Sequence, residues 1–223
     1  MGGVGTTPPA PWVLGGESIV GLARWRGPAP PLPPALRPAP GPWVVAAVRY
    51  TGSPVGPYLE LAVAQPARIG LRPGWCVQVM VVDSPASRIG GRLHWGLPKE
   101  LGTLRWDEEG REAAALTWEE KGVVVRGRPL PGPPLPWLVP VRALQQRGDG
   151  PVHVPGRLRG TGRLSTVRVE VDEQRAPDLL PLAGRHPGVH VRGMQMILRE
   201  ARTPTGVVAA LRNAQRVPRA AVW

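Results

Sequence analysis

Three scarcities narrow this 223-residue chain before any motif is read. The first is cysteine. Cys76 stands alone, so no intrachain disulfide can form, and a reducing, cytoplasmic setting is the expected one. The second is long apolar runs. None reaches the length needed to cross a bilayer, so no membrane role is expected. The opening MGGVGTTPPAPW also lacks the basic-then-apolar order of a signal peptide. The third is lysine. Of 28 Lys and Arg residues, only Lys99 and Lys121 are lysines. Arginine keeps its proton in a protein, whereas lysine can release it. In so arginine-rich a chain, a lysine at a particular place suggests a need that arginine cannot meet.

The chain is strongly basic all the same, with a formal charge of +12 and a pI near 11.5. Charge of this sign raises the question of nucleic acid. The arginines are spread along the whole length, among them Arg24, Arg49, Arg88, Arg126, Arg157 and Arg202. No compact cluster interleaved with aromatics stands out, so a nucleic-acid partner is not expected.

Residues 1–11 are rich in Gly, Thr and Pro and read as a flexible arm. Residues 12–223 read as one domain, a size that can enclose a sizeable core. Within it, residues 27–42 (GPAPPLPPALRPAPGP) hold too many prolines for a helix or a ladder strand and predict a stiff surface loop. Short segments rich in β-branched and aromatic residues surround this loop. SIVGLARW precedes it. WVVAAVRY, YLELAVAQ, CVQVMVVD, RLHWGL, GTLRW, AAALTWEE, GVVVRGRPL, PWLVPVRAL, STVRVEVDE and VHVRGMQMILREA follow, separated by turn clusters. In Arg168–Asp172 valines alternate with charges, the period of a half-buried strand. About ten such segments predict a mainly β fold, an antiparallel sheet closed into a barrel or folded into a sandwich. Short helices are expected only at Arg142–Arg147, Pro177–Leu182 and Val207–Gln215.

The most informative stretch runs from Tyr50 to Trp106. It contains Tyr58-Leu59-Glu60, then Gly91-Arg92, Pro98-Lys99 and Leu101-Gly102. This set and its spacing resemble the core of acetoacetate decarboxylase and its relatives. The resemblance covers about a quarter of the chain. It implies a cone-like antiparallel β-barrel, oligomeric assembly and a lysine that forms a Schiff base without any cofactor. A lysine amine attacks a ketone only when neutral, and at its reference pKa near 10.4 little of it is neutral at pH 7. Burial among apolar groups such as Trp95, Leu97, Pro98 and Leu101 disfavours the ammonium. Acetoacetate decarboxylase is a known example of a lysine activated by its surroundings.

On this resemblance Lys99 is the expected nucleophile, and Glu60 its partner in moving a proton. Arg92 either anchors a substrate carboxylate or pairs with a buried acid. Tyr58, His94 and Trp95 are candidates for the pocket lining, with plain core packing as the alternative. The chain also departs from the family pattern. Glu100 stands where the decarboxylases carry a second lysine. Close to the amine it would favour the ammonium, but strand neighbours point to opposite faces. Glu17 and Val45 align with a pocket arginine and a pocket glutamate. Such changes imply a remodelled pocket and a larger or less charged substrate than acetoacetate. His186 and His190 have metal-like spacing, yet the intervening Pro-Gly forbids the helix that would bring them together, so no metal is expected.

The reading is therefore a Schiff-base lyase acting on a small keto acid or related carbonyl compound, by decarboxylation, retro-aldol cleavage or dehydration. The alternative is a non-catalytic protein that binds a small ligand on the same scaffold.

Overall fold

A computed structural model describes residues 7–109, 113–148 and 150–204. The fold is mainly β, a cone-like barrel, and its strands follow from the segments above. β1 (Trp12–Ala23), β2 (Arg37–Pro38), β3 (Trp43–Gly52), β4 (Tyr58–Ile69) and β5 (Arg72–Val82) lead to a helix, α1 (Pro85–Trp95). Then come β6 (Lys99–Leu101), β7 (Leu104–Glu109), β8 (Ala113–Trp118), β9 (Val123–Pro129), β10 (Leu135–Arg147), β11 (Gly150–Val171) and β12 (Gly184–Leu198). Strands β10, β5, β4, β3, β1, β12 and β11 lie side by side, and pairing of β10 with β11 closes the ring. The closure is thin at one seam, where β10 meets β5 in parallel through Ala143 and Trp75.

The 22-residue β11 gives the cone its flare. Its first half, Gly150–Gly162, pairs with β10 inside the ring. Its second half, Ser165–Val171, pairs instead with β9, and β8 and β7 continue outward from there. Two apolar layers form on opposite faces of the sheet. One includes Ile19, Val45, Leu61, Leu116, Val125 and Val167. The other includes Trp12, Tyr50, Tyr58, Met80, Val82, Trp95 and Met194. Alternation explains the division: Val45 and Ala47 of β3 serve the first layer, Val48 and Tyr50 the second.

Two local expectations fail. SPASRIGG and RLHWGL, taken as a turn and a strand, are the helix α1. Ser84 caps it by accepting from the Ser87 N–H, Pro85 opens it, and Gly96 ends it in the left-handed region (φ 66°). Its buried residues are Ser87, Gly90, Gly91 and Trp95, at the i, i+3, i+4, i+8 spacing of one helical face. The Gly-Gly pair looks like a breaker because glycine is a poor helix former. Here it is where other side chains press against the helix. The second failure is Arg142–Arg147, which is strand, not helix. It pairs residue for residue with Gly150–Pro155, and this partner outweighs the helix propensity of ALQQR.

The short helix expected at Pro177–Leu182 is present, in 3-10 form. Val207–Gln215 lies outside the described residues. The Pro-rich segment 27–42 is mainly loop. It adds only β2 to the sheet and is pinned by Leu36, buried against Ala67, Ile69 and Leu144. Of the N-terminal arm, the described part bears on the core: Trp12 donates from Nε1 to the Pro8 carbonyl (2.9 Å), and Ala10 packs on the second layer. Among the described residues no helix is long and apolar enough to cross a membrane.

Trp12 joins this arm to α1, with its ring edge-on to Trp95 at 5.0 Å and no exposed surface. Trp12→Ala is therefore expected to cost about 3–5 kcal/mol of stability, read from the midpoint of urea unfolding.

Candidate active site

Strand alternation places Lys99 and Glu60 on one face. Met80 pairs with Ala62 on one side and Lys99 on the other, and Glu60 lies two residues from Ala62 on the same strand. Both charged side chains are buried, Lys99 to 3% exposure and Glu60 to 5%. The Lys99 Nζ donates to Glu60 Oε2 at 2.7 Å and to Ser87 Oγ at 2.9 Å. It also lies 5.2 Å from the centre of the Tyr58 ring, within range of a cation–π contact. On the far side of Glu60, the Tyr50 hydroxyl donates to Oε1 at 3.3 Å. Two buried charges that pair and have further hydrogen-bond partners offset much of their desolvation.

Tyr50 and Tyr58 are held as neutral phenols. Burial pushes both well above the usual tyrosine value, and the nearby Glu60 charge adds to the shift. A hydrogen bond with Ser87 opposes it at Tyr58. The site thus combines one amine, one carboxyl group, one aliphatic hydroxyl and two phenols that remain protonated near neutral pH.

Helix α1 makes room for the amine. A Cβ at Gly91 would sit 2.5 Å from Lys99 Cδ and 2.7 Å from Cε, far inside contact distance. The Gly91 of the Gly-Arg motif is thus the passage for the lysine stem. Arg92 next to it points away from the Lys99–Glu60 pair. It is exposed and donates to the backbone carbonyl of Lys99 at 3.3 Å. It braces β6 from outside and does not line the buried cluster.

Among the other residues singled out in the sequence, Tyr58 is at the amine, whereas His94 and Trp95 are not among its hydrogen-bond or cation–π partners. His94 packs edge-on to Trp12 and Trp95, and its carbonyl accepts from Arg147. Trp95 is core, with Nε1 donating to the Arg199 carbonyl at 2.8 Å. Glu100 is exposed while Lys99 is buried, the outcome strand alternation favours. Glu17 and Val45 lie on the opposite face of the sheet from Glu60. Glu17 meets Arg49 at 2.7 Å, His190 Nε2 at 2.5 Å and Arg192 at 3.4 Å. His186 and His190 sit on β12. His186 Nε2 lies 2.8 Å from the Leu182 carbonyl. Cys76 is buried, which pushes its thiol up to about 11.

Two contributors were missed in the sequence: Ser87 and Tyr50. The signal for Ser87 was present. Once SPASRIGGRLHW is read as a capped helix, Ser87 and Gly91 fall four apart on one face. Tyr50 is legible only through the β3–β4 register, which sets it opposite Tyr58.

The acetoacetate decarboxylase family model matches residues 29–129, a span that contains Tyr50, Tyr58, Glu60, Ser87, Gly91 and Lys99. The matched span is a little under half of the chain, and over it the chain is similar to the acetoacetate decarboxylase family. Solved structures agree in fold. The enzyme MppR of enduracididine biosynthesis, complexed with pyruvate, superposes with a TM-score of 0.65 at 17% identity, over 91% of this chain and 93% of that one. Acetoacetate decarboxylase from Legionella pneumophila gives 0.64 at 17% identity, over 91% and 90%. An acetoacetate decarboxylase-like enzyme from Sphingomonas wittichii gives 0.58 at 15%, over 87% and 93%. At these identities the likeness concerns the fold. No curated protein matches the sequence.

Two outcomes follow from the geometry. Gly91→Ala is expected to expel the Lys99 stem. In that variant Lys99 should be labelled by a water-soluble acylating reagent at least tenfold faster, with the far-ultraviolet circular dichroism spectrum unchanged. For Glu17, burial alone would raise the carboxyl pKa, but hydrogen bonds and charge from His190 and Arg49 lower it to about 2. Its stabilising contribution is complete above the unfolded value near 4.5 and is lost as pH falls towards 2. Glu17→Gln should flatten the acid limb of a stability-against-pH curve over that window.

Proposed function

We propose that this protein is a Schiff-base lyase that uses Lys99 on a small keto acid or related carbonyl compound. The observation that carries the reading is the buried amine of Lys99, held 2.7 Å from a carboxylate and 2.9 Å from a hydroxyl. Glu60 accepts a proton from Nζ, and the neutral amine adds to the substrate carbonyl. The carbonyl oxygen takes up protons and leaves as water, with Glu60 as the near donor. The product is an iminium on Lys99. In decarboxylation the bonding pair between the carboxylate and the adjacent carbon moves toward the iminium nitrogen, and carbon dioxide leaves. Glu60, left as the carboxylate once water has departed, takes up a proton from solvent and passes it to the enamine carbon, and water then releases the product ketone and restores the amine. Retro-aldol cleavage and dehydration use the same iminium as electron sink.

Because the iminium is the sink, the mechanism calls for no cofactor. Ser87 and the Tyr58 ring position Nζ, and Tyr50 holds the second oxygen of Glu60. Assembly into homo-oligomers and a cytoplasmic location belong to the same reading. The first rests on the resemblance, the second on the single buried cysteine.

Borohydride reduction with acetoacetate or pyruvate is expected to leave a covalent adduct on the peptide containing Lys99, and Lys99→Arg should abolish it. Glu60→Gln should slow adduct formation by about 10²–10⁴. A ligand shown by calorimetry to bind, yet leaving no adduct, would favour a non-catalytic binding protein.

A further inference from the structure

Seven residues on seven neighbouring strands form one continuous row ending at Lys99. The backbone pairs are Leu164 with Val189, Val189 with Val20, Val20 with Ala46, Ala46 with Ala62, Ala62 with Met80, and Met80 with Lys99. Directly paired residues project from the same face, so these side chains line one surface. Apart from Lys99 the row is wholly apolar. Exposure rises along it. Lys99 and Met80 are 3% and 7% exposed, Ala62, Ala46, Val20 and Val189 are half-buried, and Leu164 is 56% exposed.

The middle of the row carries the small side chains of Ala62 and Ala46, half-buried beside the second apolar layer. Ala62 and Ala46 lie two and three strands from Lys99, about 10 and 14 Å along the sheet. The parallel row two residues deeper, through Val48, Glu60 and Val82, is buried. Trp137 roofs part of the outer end, against Gly162 and next to Val189. A Cβ on Gly162 would meet its ring at 2.6 Å and the Val189 side chain at 2.8 Å.

We infer that the carbonyl compound reacting at Lys99 carries an apolar tail, aliphatic or aromatic, laid along Met80, Ala62 and Ala46 towards Val189. This rests on the Schiff-base reading and adds the substrate class to it. The occupant is a small molecule, not a protein segment, because the row runs without a break into the buried amine. The tail bears no second anionic group. The row offers no cation but Lys99 itself, and Arg92 is turned outward onto the Lys99 carbonyl. Burying a carboxylate along the row without a partner would be costly.

The test compares reductive trapping rates at Lys99 for acetoacetate and for β-keto acids with longer alkyl or phenyl tails, in the full-length protein and in Ala62→Leu. The long-tailed acids are expected to be trapped at least tenfold faster than acetoacetate. In Ala62→Leu the long-to-short ratio should fall at least tenfold, with adduct still forming from acetoacetate as evidence of a folded site. Leu164→Ala, at an exposed position that does not threaten folding, should lower the ratio for the longest tail only. A ratio near one in the unmodified protein overturns the tail, as does a ratio untouched by both variants; adducts at Lys99 would leave the Schiff-base reading standing. Absence of any adduct with every keto acid overturns that reading and the tail together.

Discussion

The ion pair between Lys99 and Glu60 is the constraint around which the rest of this molecule is arranged. A charge of either sign in a protein interior is costly unless its partner and its hydrogen bonds are in place. Every element near the pair contributes to that arrangement. β6 is three residues long and serves to carry Lys99 beside Met80. β4 brings Glu60, β3 brings the Tyr50 hydroxyl to its second oxygen, and α1 brings Ser87 to the amine while Gly91 leaves space for the stem. Removing one partner would leave the other buried and uncompensated. Under the proposed function this arrangement sets the pair up for proton transfer.

The opposite face of the sheet shows how differently the same residue types can be used. There Glu17, Arg49, His190 and Arg192 form a second charged cluster, with Arg49 also reaching Glu108 and lying over the Trp106 ring. It ties β1, β3, β7 and β12 together. Its carboxylate is held by two arginines and a histidine, so its proton is hard to restore. The Lys99 cluster has no arginine among its hydrogen-bond partners, only proton-bearing neutral groups around one pair.

Much of the fold was legible in the sequence because strands carry their own period. Val48, Glu60 and Val82 were bound to share a face once their strands paired, and Arg168–Val171 alternates as it reads. Lys99 and Glu60 were recoverable from motif and spacing. The errors have physical sources. Gly90-Gly91 resembles a turn unless one knows that Trp12 and Lys99 press against it, and those contacts are long-range. ALQQR resembles a helix unless one knows that β11 lies beside it. Arg92 drew attention as half of the Gly-Arg motif, and helix geometry sets it on the exposed side, where it meets the Lys99 backbone carbonyl. The row from Lys99 to Leu164 was invisible, since it depends on the register of six strand pairs at once.

The central claim is that the amine at position 99 meets a carbonyl carbon inside the barrel with Glu60 and Ser87 at hand. A crystal structure of the protein after borohydride reduction with a keto acid tests this most directly. The account predicts unbroken density from Nζ into the reduced substrate, enclosed by the barrel, with Glu60 and Ser87 within hydrogen-bonding reach. Density showing Nζ unmodified against Glu60, with the adduct on exposed Lys121 instead, would contradict it.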